Sequence, residues 1–243
     1  MRKLSLHFGL AALLIAVVIG VACRGSVAAS EKVTNLPAPA VNAPLASKPG
    51  TETTVFAGGC FWGVQGVFQH VKGVITATSG YSGGSKSTAE YETVSTGTTG
   101  HAESVQVTWD PSKLTYGQLL QVFFSVATDP TELNYQGPDE GTQYRSVIFY
   151  ANDDQKRIAD AYIAQLGEAK VYKHKIVTQV VPFKAFYPAE GYHQNYATLH
   201  PDNPYIAHFD LPKIENLQQM FPQLYRPQIS ESGAQSSSMA ASK

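Results

Sequence analysis

The hydrophobic period of this chain switches between about two and about three and a half residues in a readable order, and that order restricts the folds open to it. Residues 53–57 form an apolar run of strand length. Phe61, Val64, Phe68 and Val71 then recur at helical spacing, so residues 60–71 predict a helix that Gly73 stops. Residues 74–78 predict a second strand, and residues 104–109 alternate polar and apolar as a half-buried strand does. Thr115 with Gln118 three positions on is a capping-box signature that opens a helix over 116–126. Residues 146–150 predict a strand, Asn152 caps a helix running to Leu166, and residues 176–181 predict a strand ended by Pro182. Up to the fourth strand the order is β-α-β-β-α-β. It predicts an α/β chain, an α+β two-layer sandwich with a ferredoxin-like split-βαβ core. Residues 79–103 and 127–144 carry little regular pattern, and loops of that length in a compact domain are usually functional.

The ends of the chain read differently from its middle. Residues 1–29 resemble an export signal: Arg2 and Lys3, an apolar run over 8–22, and small-residue cleavage sites such as Ser26-Val27-Ala28. Val21-Ala22-Cys23 resembles the end of a lipobox, although Gly20 stands where a larger aliphatic residue is usual, so lipid anchoring at Cys23 is the alternative to simple cleavage. An uncleaved anchor is the third reading, and all three place the domain outside the cytoplasm, periplasmic or extracellular. Residues 30–50 read as a Pro/Ala-rich linker, 51–227 as one domain, and 228–243 as a disordered tail. The formal net charge is −1, and removing the leader cations Arg2, Lys3 and Arg24 leaves −4. No basic stripe remains for nucleic acid. No motif demands an oligomer, so a monomer is expected.

Gly59-Cys60-Phe61-Trp62-Gly63 carries the strongest chemical signal. The chain has two cysteines, and with Cys23 in the leader Cys60 is the lone thiol of the domain. It is either inert core or chemistry. At a strand-to-helix junction, the helix N-terminus should favour the thiolate and lower its pKa. Two consecutive aromatics cannot both bury on one narrow helical stripe, so Phe61 or Trp62 lines a pocket. Glu103, in Gly100-His101-Ala102-Glu103, is either a solvated loop residue or an acid kept protonated by apolar surroundings. Its His-x-Glu spacing is that of the zinc deaminases, but the Cys-x-x-Cys they require is missing, and no metal site is expected. Tyr91 and Tyr144 are either core tyrosines or donors to a substrate oxygen.

Taken together, the motifs resemble the A-class peptide methionine sulfoxide reductases. The resemblance runs from the Cys60 motif through Gly80-Tyr81, Gly83-Gly84, Tyr91-Glu92-Thr93-Val94 and Gly100-His101-Ala102-Glu103. It continues with Asp129-Pro130-Thr131, Asp139, Gly141-Thr142-Gln143-Tyr144-Arg145-Ser146, Tyr192-His193-Gln194 and Tyr196. It implies reduction of the S epimer of methionine sulfoxide, free or in peptides and oxidised proteins. Cys60 would be the nucleophile and Glu103 the proton donor. Tyr91 and Tyr144 would bind the sulfoxide oxygen, and Phe61 and Trp62 would wall the substrate methyl group. Asp139 would position main chain or water, or merely cap a loop. The product, a Cys60 sulfenic acid, is reducible by thiols. Residues 206–243 contain no cysteine, so the resemblance is to a one-cysteine type with no bound cofactor. It would be recycled by an external thiol, a thioredoxin-like protein or a small thiol such as glutathione. Thr128, Tyr135 and Pro138 depart from the family pattern near the expected site. Gly191 replaces an acid and should cost on the order of 1 kcal/mol of helix stability. Two rival readings are a cysteine hydrolase using His101 or His193 as base, and an exported binding module with a structural Cys60.

Overall fold

The computed structural model describes residues 36–229. The export-signal and lipid-anchor readings, Cys23 included, lie outside the described residues, as does the tail from 230 onward. In chain order the elements are β1 (Glu52–Ala57), α1 (Phe61–Gln69), β2 (Val74–Ser82), α2 (Tyr91–Val94), β3 (Ala102–Trp109) and α3 (Tyr116–Val122). Then come β4 (Tyr135–Gln136), β5 (Asp139–Glu140), β6 (Val147–Tyr150), α4 (Asp153–Glu168), β7 (Gln179–Pro182), β8 (Tyr187–Pro188), α5 (Tyr196–Leu199) and α6 (Leu211–Met220).

The chain is a mixed α/β fold on a six-stranded sheet of order β7-β6-β1-β3-β2-β8. All neighbours are antiparallel except β6 and β7. β1 and β2 flank β3, and β1 also carries β6, so β1 is a central strand. Strand alternation sends Phe56 to one face and Val55 and Ala57 to the other. Phe56 joins the large core with Phe61, Val64, Phe68, Val105, Val107, Leu119 and Ile158, which is where the helices pack. Val55 and Ala57 join a smaller cluster with Val147 and Phe149, packed by Val181, Phe183 and Phe186. The same alternation on β3 puts Glu103 in phase with Val105 and Val107, on the face of the large core.

Local signals set most boundaries. The capping box at Thr115 forms in both directions, and the Asn152 side chain accepts the Gln155 N–H at 2.9 Å. Several edges differ from the sequence expectation. α1 starts at Phe61 with Cys60 as its N-cap residue. The helix after Thr115 turns into a π-type turn over Phe123–Ala127, which lets Phe123 stack on Phe56 at 4.8 Å. The strand expected to stop before Pro182 begins at Gln179 and includes it. β7 is an edge strand, where proline's missing N–H is tolerated. β8 and α6 had no readable pattern; β8 has two residues and exists only by pairing with Gly80 and Tyr81 of β2.

The Pro/Ala-rich stretch has neither helix nor strand over residues 36–50, save that its backbone lies against the helices. Pro37 O accepts from Tyr162 Oη at 2.8 Å, Ala38 O from Gln165 Nε2 at 3.0 Å, and Asn42 Oδ1 from the Gly117 N–H at 3.0 Å.

Candidate active site

Two glycines build the turn that presents Cys60. Gly59 has φ +96°, the left-handed region where a side chain is strained, and a Cβ there would sit 2.5 Å from the Gln136 side chain. Gln136 is held in turn by Thr128 Oγ1–H at 2.6 Å and the Asp129 N–H at 2.7 Å, both donated to its Oε1. Thr128, a departure at sequence level, is therefore a brace for the cysteine turn, while Tyr135 and Pro138 are exposed beside it. Gly63, one turn into α1, leaves room for Asp210: a Cβ there would lie 2.1 Å from Asp210 Oδ1.

Cys60 is 8% exposed, and it is the only cysteine among the described residues. The helix N-terminus does not lower its pKa as the sequence suggested. Burial pushes the thiol well up, and the Glu103 and Asp210 carboxylates push the same way. The Trp62 backbone N–H and Lys213 oppose them and lose. The Phe61 N–H, the first free donor of α1, is spent elsewhere: it donates to Glu103 Oε2 at 3.0 Å. Glu103 is buried, and desolvation raises its pKa to about 8 against that hydrogen bond, with Asp139 and Asp210 adding to the rise. At neutral pH the protonated acid predominates.

Burial raises the hydroxyls of both Tyr91 and Tyr144, and Glu103 and Cys60, wherever ionised, push them the same way. Both are half-buried. Asp139 is half-buried; desolvation raises its pKa against a hydrogen bond from Tyr205 Oη and the attraction of Lys213. The aromatic pair splits as helical geometry demands. Phe61 is buried against Tyr81 and His193, at 5.9 and 5.0 Å between ring centroids. Trp62 is half-buried, stacked on Tyr196 at 4.0 Å and edge-on to Tyr205 at 6.1 Å. Its Nε1–H donates to His193 Nδ1 at 3.1 Å, which makes that nitrogen the acceptor.

A polar network holds this wall. Gln194 Oε1 accepts from Gln65 Nε2 at 2.9 Å and from the Ser79 N–H at 3.0 Å, tying the His193 turn to α1 and β2. Glu190 accepts from Tyr81 Oη at 2.8 Å and the Tyr91 N–H at 3.0 Å. Burial raises its pKa, but those donors outweigh it and hold the carboxyl below its ordinary value. Gly191 opens a three-residue 3-10 turn, Gly191–His193, so the helix-interior cost expected of it does not arise. His101 is committed structurally. Its Nδ1 accepts the Gly84 N–H at 3.2 Å and its Nε2 lies 2.9 Å from Ser85 O, which removes it as the base of a hydrolase. Among the described residues no group of three or more His, Cys, Asp or Glu side chains could hold a metal ion.

The structure thus brings Cys60, Phe61, Trp62, Tyr91, Glu103, Asp139 and Tyr144 to one site. Sequence reading missed Tyr205, Asp210, Lys213 and Glu190. No local pattern marks them; they arrive from the C-terminal third by tertiary packing. The arrangement places a buried nucleophilic sulfur beside a neutral carboxylic acid, tyrosine hydroxyls and an aromatic wall. That set can reduce a small, polarised, oxygen-bearing group flanked by apolar atoms.

Comparison with known proteins points the same way. The family model described as peptide methionine sulfoxide reductase matches residues 52–224. A protein named peptide methionine sulfoxide reductase MsrA 2 from Mesorhizobium japonicum is 67% identical over 177 residues, covering 73% of this chain and 91% of the relative. Its namesake from Synechocystis sp. is 47% identical over 191 residues, covering 79% and 89%. Among solved structures, reduced Mxr1 from Saccharomyces cerevisiae superposes with a TM-score of 0.57 at 32% identity, covering 68% of this chain and 92% of that one. Methionine sulfoxide reductase A of Corynebacterium diphtheriae gives 0.54 at 34% identity, covering 70% and 84%.

Proposed function

The chain belongs to the peptide methionine sulfoxide reductase family and is an A-class reductase of peptide methionine S-sulfoxide; from that premise we propose a one-thiol mechanism centred on Cys60. The substrate methyl group rests against Phe61 and Trp62, where sulfur and methyl contacts with aromatic rings are favourable. The sulfoxide oxygen points to Glu103, Tyr91 and Tyr144. The Cys60 sulfur pair attacks the sulfoxide sulfur as Glu103 gives its proton to the oxygen and takes up the proton of the Cys60 thiol in its place, and the tyrosine hydroxyls stabilise the developing charge. The net change transfers one oxygen: Cys60 thiol plus sulfoxide becomes Cys60 sulfenic acid plus thioether. Cys60 sulfur loses two electrons and the substrate sulfur gains them. Two external thiols then return Cys60 to the thiol, leaving one disulfide and one water. Asp139, bonded to Tyr205, holds the mouth of the site.

The observation that carries this reading is the contact of Glu103 with the Phe61 N–H, which puts a neutral acid one residue from the nucleophile. Cys60 being the only cysteine among the described residues supports a thioredoxin-like protein or a small thiol as reductant. The leader composition supports export of a repair enzyme for oxidised proteins outside the cytoplasm, with lipid attachment at Cys23 as the alternative to cleavage, and the lack of any motif that demands an oligomer supports a monomer.

The test is single-turnover reduction of the separated S and R epimers of a blocked methionine sulfoxide by reduced protein without added reductant. One methionine per protein from the S epimer alone, with Cys60 trapped as sulfenic acid and the Cys60→Ser variant inert, is expected. More than one methionine per protein, or equal turnover by Cys60→Ser, overturns the mechanism.

A further inference from the structure

Asp210 is fully buried, and only one of its carboxylate oxygens has a partner. Oδ1 lies 3.3 Å from Lys213 Nζ, while Oδ2 has no hydrogen-bond partner among the described residues. A half-satisfied buried carboxylate is costly, so a place in the fold must favour it. The place is built from both sides. A π-type turn over Ile206–Asp210 feeds directly into α6, whose first turn contains Pro212. π-type turns of this kind are frequent at functional sites. On the other side, Gly63 of α1 has no Cβ, and any Cβ there would meet Asp210 Oδ1 at 2.1 Å. The carboxylate therefore rests on the first turn of α1, three residues beyond Cys60.

The other ionisable groups that act on Cys60, or are acted on by it, come from separate elements. Glu103 comes from β3, Tyr91 from α2, Tyr144 from the turn Thr142–Tyr144, and Tyr205 from just before the π-type turn. Asp139 of β5 stands behind them, bonded to Tyr205. Lys213 is the one cation acting on Cys60 in this group. We infer that Asp210 and Lys213 are a positioning pair for the nucleophile: Asp210, lying against Gly63 in the first turn of α1, keeps Cys60 a thiol at rest, while Lys213 limits that effect. A resting thiol resists adventitious oxidants, because the thiolate is the reactive form. The sulfur then becomes nucleophilic only when a sulfoxide draws the Glu103 proton, which leaves Glu103 a carboxylate able to accept the proton of the thiol.

The inference rests on Cys60 being the nucleophile, but its test reads the thiol directly and does not require turnover. In the full chain, Asp210→Asn and Lys213→Met are compared with the parent by the rate of Cys60 alkylation with iodoacetamide from pH 7 to pH 10. Near-ultraviolet circular dichroism checks the fold. Asp210→Asn should move the profile to lower pH and Lys213→Met to higher pH. A shift of about half a pH unit changes the rate at pH 8 about threefold in each direction. A pair that only pins α6 to α1 would leave both profiles in place or move them the same way, and either result overturns the inference. If Asp210→Asn does not fold, Lys213→Met decides alone: slower alkylation supports the pair, and unchanged or faster alkylation refutes it. Loss of sulfoxide reduction in the parent, with these opposite shifts intact, would overturn the proposed function and leave this inference standing.

Discussion

Replacing Glu103 by glutamine should make the protein more stable as pH rises, while slowing its chemistry. The folded carboxyl titrates at about 8, against an ordinary value of 4.5. Its folded-state pKa is raised, so the folded protein holds a proton that the unfolded chain releases above pH 4.5. Parent stability is therefore undiminished by Glu103 below about pH 4.5 and declines steadily until pH passes the folded pKa. The slope is about 1.4 kcal/mol per pH unit, which amounts to roughly 4 kcal/mol between pH 5 and pH 8. Glutamine has no such proton, is nearly isosteric, and its Oε1 can still accept the Phe61 N–H. The difference in unfolding free energy between variant and parent should widen in favour of the variant from pH 5 to pH 8, then level off. Urea denaturation of both proteins at unit pH intervals measures it, and subtracting one from the other removes most of the contribution of the carboxyls they share, the half-buried Asp139 and the buried Asp210. A difference that stays flat with pH would mean that Glu103 is already ionised in the folded protein at pH 5. The proton-donor role would fall with it, whatever the variant's activity.

The Tyr91→Phe and Tyr144→Phe variants should each lower kcat about 10- to 100-fold, since a hydrogen bond to developing charge contributes about 1.5–3 kcal/mol; steady-state rates with the S epimer would show it, and an unchanged kcat for both would remove them from the oxygen site. Gly63→Ala should cost about 3 kcal/mol of stability by forcing the buried Asp210 carboxylate off α1. Urea midpoints would measure that loss, and the Gly63→Ala, Asp210→Ala double variant should lose less than the two singles together; simple additivity would contradict the contact.

Part of the site is legible because its determinants are local. The Gly-Gly-Cys turn, the capping box at Thr115 and the cap at Asn152 each depend on residues within a few positions of one another, and so do the helical and strand periods around them. Strand alternation even assigns Glu103 to the face of Val105 and Val107 once β3 is recognised. The direction of the Cys60 pKa was misread for a physical reason. The helix N-terminus is a local feature visible in sequence, whereas burial and the charges of Glu103 and Asp210 are sums over distant chain segments. Gly191 was misread likewise, because its cost depends on an α-helix interior, and the chain there forms only a 3-10 turn whose buried residue is His193.

The amino-acid sequence by itself determined the order of the longer strands and helices from β1 to β7, though not the short α2, β4, β5, β8 and α5 or the final α6, together with the identity of the lone domain thiol and the residue types gathered around it, because period, capping and composition act over a few residues at a time. Only the tertiary structure decided which N–H each carboxylate takes, that Trp62 leans on Tyr196 and His193, and that Asp210 and Lys213 close on α1 from about 150 residues away. Those contacts depend on how far the chain desolvates each charge, and desolvation is a property of the packed whole.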